Sequence, residues 1–501
     1  MKRDRESLLG AGVLSFAYAA WGTLLALVTI PVMITGLGLA SYGMYTLAFS
    51  IAGFGAFLDM GLGWTISRFV AEADAREDHE LLAATMRAGA LCHFAMAIVF
   101  VLLVYPFAGW IARAILRSSP ADTPLMVKVL RIAAISFACS SIGGFFVSGL
   151  RGLRRFAPAT LISVTGVTVS VAGAASMAWL GLGVASASAA QLAGAFLGMA
   201  MGAWTCRPYF ERTAGGITLW KQLRRMLGFS FWTYLNRLTQ MFVLQVDKVL
   251  IGRFVGPAFL PIYTVPFGVA QKINFLAGPA VTAIYPTAAA GQHEPELFMK
   301  KYFSGSRLVH ILTGAAALSV LLWGEKFLAA WISADFARRS DYYLNVFTVG
   351  YWVISVGSFD VGCIEGWNRP KTTFAIVGVG LLLAVSVGFL AWPLLGVPRT
   401  IALAVAAWLV SVGVGGMIVW QRMSNYPVRR FLRHIASPLA EMALIGCIFS
   451  AVLRNVTSPR FLVIAILPVI AVGLVIYGCY RAFSREELQA IFSRLTLAKT
   501  N

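Results

Sequence analysis

Residues 226–255 read MLGFSFWTYLNRLTQMFVLQVDKVLIGRFV, and the fold turns on how that run is understood. It is long enough to cross a bilayer as a helix and apolar over most of its length. Yet Asn236, Arg237, Gln240, Gln245, Asp247 and Lys248 fall at depths where hydrocarbon would surround a lone helix. A charge at the centre of such a helix costs about 2.5–3.5 kcal/mol on insertion scales. Residues of this kind face a bundle interior or a water-filled cavity, and they mark function by default. Asn236, Gln240 and Asp247 are spaced i, i+4, i+11; Arg237, Gln240, Leu244 and Lys248 are spaced i, i+3, i+7, i+11. The two sets merge into one polar stripe along one helix face. Such a stripe on an otherwise apolar spanning helix is a cavity wall, and the rest of the chain has to build the cavity.

The composition agrees. The 501 residues are 59% hydrophobic and 12% charged, with mean hydropathy +0.77, where ordinary soluble domains carry about 25% charged residues. The apolar residues gather in about fourteen runs, near 8–34, 43–63, 88–111, 132–150, 159–180, 184–204, 226–254, 262–285, 308–332, 343–364, 373–392, 401–420, 437–453 and 461–480. Continuous runs of this length predict an all-α polytopic membrane protein. Barrel strands, about ten residues of alternating character, are excluded. A formal net charge of +20 would suggest nucleic acid in a soluble chain. Here it places basic loops against anionic lipid head groups, with no nucleic-acid partner. Those loops, 151–158, 205–225, 286–307 and 421–434, share a side with the N-terminus, so both termini are expected in the cytoplasm. Cys92, Cys139, Cys206, Cys363, Cys447 and Cys479 form no CxxC pair and read as small buried hydrophobes. The start, MKRDRES followed by an apolar run to about Ile34, is too long for a signal peptide and reads as a retained first span. The connections leave no room for a soluble domain.

The chain also repeats itself. A shift of 218 residues aligns Leu37–Phe49 (LGLASYGMYTLAF) with Val255–Phe267 (VGPAFLPIYTVPF), matching Gly38/Gly256, Ala40/Ala258, Tyr45/Tyr263, Thr46/Thr264 and Phe49/Phe267. It also pairs Leu9-Gly10 with Leu227-Gly228 and Phe57-Leu58 with Phe275-Leu276. A slightly smaller shift pairs RGLRRF (Arg151–Phe156) with EGWNRP (Glu365–Pro370). The repeat is six spans long, an even number, so both halves share one orientation; two parallel six-helix halves around a cavity are a transporter plan. The expected division is 1–210 and 211–430, with 431–501 an appended helix pair and cytoplasmic tail.

Three stretches carry a resemblance. YGMYTLAFSIAGFGAFLDMGLGWTISRFVAE (Tyr42–Glu72), GLRGLRRF (Gly149–Phe156) and QVDKVLIGRFVGPAFLPIYTV (Gln245–Val265) resemble bacterial polysaccharide flippases of the multidrug/oligosaccharidyl-lipid/polysaccharide exporter superfamily. The resemblance covers about 1–430 and, more loosely, the last two spans. It implies the exporter fold, a bacterial inner-membrane location, and transfer of an undecaprenyl-diphosphate-linked oligosaccharide from the cytoplasmic to the periplasmic leaflet.

A diphosphate and a sugar chain need a wet, cationic passage. Arg237, Lys248 and Lys272 are the candidate cations, since Arg grips phosphate bidentately and Lys acts as a point charge. Asn236, Gln240, Gln271 and Asn274 supply donors and acceptors for hydroxyls. Asp247 either lines the passage or neutralises a lysine or arginine in a structural ion pair, and Lys248 either faces cargo or snorkels to the surface with Arg253. Asp59, Asp360 and Glu365 are candidates to gate the cytoplasmic entrance by pairing with Arg68, Arg155 or Arg369; the plain alternative is ordinary helix-end residues. His93 and His310 are candidates for coupling to H+, the coupling ion being H+ or Na+; a satisfied interhelical bond is the commoner use of such a histidine. Pro266, Pro279 and Pro286 with Gly268 and Gly278 mark span 8 as kinked. Glu441 is peripheral to the repeat.

No HExxH, GxSxG or Walker motif occurs, so neither a catalytic centre, a cofactor nor a metal is expected. Two close alternatives remain: a peptidoglycan lipid-precursor flippase, and an ion-coupled multidrug antiporter, whose cationic cargo calls for an anionic cavity. From another class, a membrane polysaccharide polymerase or ligase would need a large outer loop bearing Arg and His. The longest here, Ala112 to Arg131, has no His.

Overall fold

The computed structural model describes residues 8–58, 62–116, 120–210, 219–290, 295–367, 369–425, 427 and 429. Asp59, Glu441 and the two spans expected at 437–453 and 461–480 lie outside the described residues. The described chain is helical without strands. Nine of its helices are long and apolar enough, by length and composition, to cross a membrane.

Spans 1 and 2 form α1, Leu8–Gly53, broken at Gly38, where φ is 76° and ψ 162°. That combination is essentially open to glycine alone, and it lets two spans meet with almost no loop. After one 3-10 turn at Phe54–Phe57 the helix resumes as α2, Leu62–Ala75, in a stretch expected to be loop. Its apolar residues Leu62, Ile66, Phe69, Val70 and Ala73 are buried, while Arg68 on the other face is exposed. The run is amphipathic, so a test of continuous hydropathy passes over it. Then follow α3 (His79–Val104), α4 (Ala108–Ile115), α5 (Thr123–Gly152), α6 (Phe156–Trp179), α7 (Gly183–Cys206), α8 (Leu219–Phe254), α9 (Leu260–Ala290), α10 (Pro295–Trp331), α11 (Ala334–Gly366), α12 (Pro370–Leu395) and α13 (Val397–Met423). α9 is helical through the three prolines expected to kink it.

By packing, the chain divides between Pro261 and Ile262. The repeat puts the division at 210/211. The difference is α8, which packs on α1, α2, α3 and α4 and so belongs with the first unit. In that unit α5, α6 and α7 pack on one another and α1 lies on α6. Leu82, Met86, Phe145, Phe146 and Leu150 complete a core with the apolar face of α2. In the second unit α11 and α12 pack on α13, and α10 packs on α11.

The duplication is visible in backbone detail. Gly256 repeats the conformation of Gly38, with φ 107° and ψ 160°. Leu153 and Trp367 end α5 and α11 with φ/ψ of −76°/2° and −81°/15°. Arg155 and Arg369 then start α6 and α12 at −96°/70° and −114°/53°. Small residues let the helices approach, as is usual where lipid offers no hydrophobic drive to association. A Cβ on Gly357 of α11 would overlap the backbone of Gly413 on α13. The same crossing in the first unit sets Gly143 of α5 against Met199 of α7, where a Cβ would lie 3.4 Å from the nearest backbone atom. On α12, Leu382, Phe389, Leu390 and Leu394 stay exposed, as a hydrocarbon-facing surface requires.

Candidate functional site

The long α8 carries the polar stripe. Asn236, Arg237 and Gln240 lie where its backbone is helical; their side chains are outside the described residues. Further along, the Asp247 side chain is 1% exposed and its Oδ1 stands 3.5 Å from Lys248 Nζ. Lys248 also gives its backbone N–H to Asp247 Oδ1 at 2.8 Å, and its ammonium donates to the carbonyl of Leu244. The two residues expected on a cargo passage thus neutralise one another in this conformation, within the first unit. Arg253 donates to the carbonyl of Ala114 and its guanidinium is 5.8 Å from the Phe254 ring centre. Two residues before Asp247, the Gln245 amide lies over Gly53, where α1 gives way to its 3-10 turn.

Lys272, Gln271 and Asn274 are on α9, in the second unit. Lys272 and Gln271 are half-buried and Asn274 is exposed. The Lys272 ammonium lies 4.9 Å from the centre of the Phe275 ring, within reach of a cation–π attraction. An ammonium held by a ring face keeps its donors available in a way that one held by a carboxylate does not.

Two of the residues expected to gate have defined partners. Asp360, 2% exposed, accepts from Tyr302 Oη at 2.6 Å instead of meeting an arginine. Arg155 is exposed and donates to Tyr209 Oη at 3.0 Å. Arg87 reaches the same turn, donating to the carbonyl of Phe210 at 2.8 Å. Two arginines therefore brace the chain leaving α7. Glu365 is half-buried and Arg369 exposed.

His93 and His310 are both buried, each with Nδ1 against the carbonyl four residues back: Gly89 at 3.0 Å and Ser306 at 2.6 Å. They lie on corresponding helices, α3 and α10, each of which meets an equivalent phenylalanine, Phe145 against Gly89 and Phe359 against Gly305. His310 belongs to a buried row on α10, Tyr302, Ser306 and His310, spaced four residues apart, with Ser306 Oγ 3.4 Å from His310 Nδ1. This row, ending at Asp360, was not legible beforehand. Its spacing is ordinary for a helix face, and only the arrival of Asp360 from α11 makes it a network.

The profile of the family described as Polysaccharide biosynthesis protein matches residues 9–292, more than half of the chain and the whole of α8 and α9. The chain belongs to the polysaccharide biosynthesis protein family. Among curated relatives of the family member described here, a putative O-antigen transporter of Shigella flexneri is 19% identical over 361 residues, covering 72% of this chain and 85% of the relative. Its fold is shared with a solved lipid II flippase, MurJ, in an inward closed conformation, at a TM-score of 0.67 and 17% identity, covering 98% of this chain and all of that one. It is shared also with an inward-facing multidrug resistance MATE family transporter of the MOP superfamily, at 0.66 and 16% identity, covering 83% of this chain and 96% of that one. This polysaccharide biosynthesis protein is therefore a multi-pass membrane protein with the fold of these transporters.

Proposed function

We propose that the chain is a flippase that carries an undecaprenyl-diphosphate-linked oligosaccharide from the cytoplasmic to the periplasmic leaflet of a bacterial inner membrane. The family match over residues 9–292 carries the reading, and the O-antigen transporter name of a relative supports it. The mechanism is alternating access, with the sugar and diphosphate in a polar passage and the polyprenyl tail in lipid. Arg237 and Lys272 offer charge to the diphosphate, and Asn236, Gln240, Gln271 and Asn274 offer hydrogen bonds to hydroxyls. Lys248 joins them only when its pair with Asp247 opens. No bond of the cargo is made or broken, so no catalytic residue is assigned. The drive is an ion gradient, H+ or Na+, or the cargo's own gradient; the buried Asp360 and His310 are the groups offered to a coupling ion. Asp59, Asp360, Glu365, Arg155 and Arg369 serve the cytoplasmic entrance in this reading, through pairs that form in one conformation and break in another.

The test is restoration of surface polysaccharide in a strain lacking its own flippase, with wild type, Arg237→Ala and Lys272→Ala at matched membrane levels. The expected result is restoration by wild type and a drop of about tenfold or more for each variant, the effect of losing about 1.4 kcal/mol. Variants that work as wild type would place the passage elsewhere. Rescue of a strain lacking its lipid II flippase, with no surface polysaccharide restored, would favour the cell-wall precursor instead.

A further inference from the structure

In the first unit, α1 carries Tyr42, Tyr45 and Phe49 on one face. The rings follow one another, Tyr42 and Tyr45 stacked with centres 6.2 Å apart and planes 14° apart, then Tyr45 and Phe49 with centres 4.7 Å apart. Both tyrosines rest against a floor of small buried residues, Ala174, Ala175 and Ala178 of α6 and Ala187 of α7. Each of the three residues is partly exposed as a whole, while the two phenol groups are buried. Across from them, Gln191 of α7, also partly exposed, accepts the Tyr45 hydroxyl at 3.0 Å through Oε1. That bond orients the amide and leaves its Nε2 donors for another acceptor.

The repeat supplies a control. Tyr263 and Phe267 of α9 are the counterparts of Tyr45 and Phe49, stacked with 14° between planes where Tyr45 and Phe49 are tilted by 46°. There the pair is sealed: Tyr263 is 0% and Phe267 6% exposed. Phe347 stands edge-on to both, 5.0 Å from Tyr263 and 5.1 Å from Phe267, and Tyr343 and Tyr351 close the sides. One aromatic pair of the repeat is core in the second unit and partly exposed in the first. The Tyr45 hydroxyl and the Gln191 carboxamide satisfy one another about two turns from the Gly38 break, so the face beside them is polar as well as aromatic.

We infer that Tyr42, Tyr45, Phe49 and Gln191 form a saccharide-binding platform on the first helix bundle, taking a hexopyranose ring of the cargo. Electron-rich ring faces attract the weakly positive axial C–H bonds of a pyranose, and an oriented carboxamide suits a hydroxyl or acetamido oxygen. A bare polyprenyl diphosphate has neither feature and gains nothing from the platform. The inference rests on the flippase reading but concerns the sugar, whereas α8 and α9 serve the diphosphate.

Purified full-length protein in lipid nanodiscs is titrated calorimetrically with a short-chain polyprenyl diphosphate bearing one N-acetylglucosamine, and with the same lipid lacking the sugar. Wild type is expected to prefer the glycosylated probe. Tyr45→Ala and Gln191→Leu are expected to weaken that probe by about tenfold and to leave the bare lipid unchanged, while Tyr45→Phe, which keeps the ring, loses less. If Tyr45→Ala fails to fold, Gln191→Leu and Tyr45→Phe, checked by thermal unfolding, decide the matter. Variants that keep the preference for the glycosylated probe overturn the platform, as does a wild type that binds both lipids equally; the flippase reading survives either result. A wild type that binds neither lipid overturns the flippase reading and the platform with it.

Discussion

At the scale of single residues, the carboxyl of Asp360 is buried in the second unit and held by the Tyr302 phenol. Phe298, Phe359, Trp367 and Trp420 cluster around its partner Tyr302, so little else can take over that bond. A hydrogen bond to a buried group left without its partner costs about 1–3 kcal/mol. Tyr302→Phe is therefore expected to lower the thermal unfolding midpoint in detergent more than Asp360→Asn, whose amide oxygen still accepts from the phenol. Equal loss from the two would show that the bond itself contributes little. The same scale shows what was readable beforehand. Asp247, Lys248 and Asp360 stood out as charges within apolar runs. Gln191 and Tyr45 did not, because an amide and a phenol on separate helices have no sequence spacing in common. Nor was it readable that Asp247 would face Lys248, its own neighbour. Adjacent residues on a helix point about 100° apart, and only the long lysine stem folding back closes the gap.

At the scale of elements, the two glycine breaks do one job twice. Gly38 turns span 1 into span 2, and Gly256 turns α8 towards α9, both in a region of φ/ψ that costs other residues of order 1–3 kcal/mol. Gly38→Ala and Gly256→Ala are expected to destabilise by similar amounts in thermal unfolding, although the first glycine has nothing near its missing Cβ. A much smaller loss at Gly38 would mean that the conformation is not required there. Helix crossings give a second comparison. Gly357→Ala drives a methyl into the Gly413 backbone, and overpacking of that kind costs about 1–3 kcal/mol. Gly143→Ala, at the equivalent crossing, meets only an ordinary contact and is expected to be tolerated, as measured by the yield of folded protein in detergent. The elements themselves were mostly legible: twelve expected runs coincide with described helices because apolar length is enough to define a span. α2 was missed because half of it is polar. It is held by its burial against α3 and α5, which no local pattern states.

At the scale of the molecule, alternate connections differ in kind. The turns at Gly38, Gly181, Gly183, Gly256 and Gly396 use glycine at positive φ, while Glu77, Arg154 and Asn425 hold positive φ at the intervening connections. Arg154 and Asn425 lie in basic loops, so the second set is expected on the cytoplasmic side. In a background without native cysteines, Arg154→Cys is expected to react with a membrane-impermeant maleimide only after the cells are opened, and Leu182→Cys before. The reverse order would invert the topology. The sequence by itself determined that this is a polytopic, duplicated membrane protein with charges inside its spans, because length, hydropathy and repeat offset are properties of the chain alone. Tertiary structure decided which charges are neutralised, which aromatic pair of the repeat is sealed and which is partly exposed, and that α8 packs with the first unit. Those outcomes depend on which side chains from distant helices meet, and helix periodicity fixes the face a residue occupies without naming its partner.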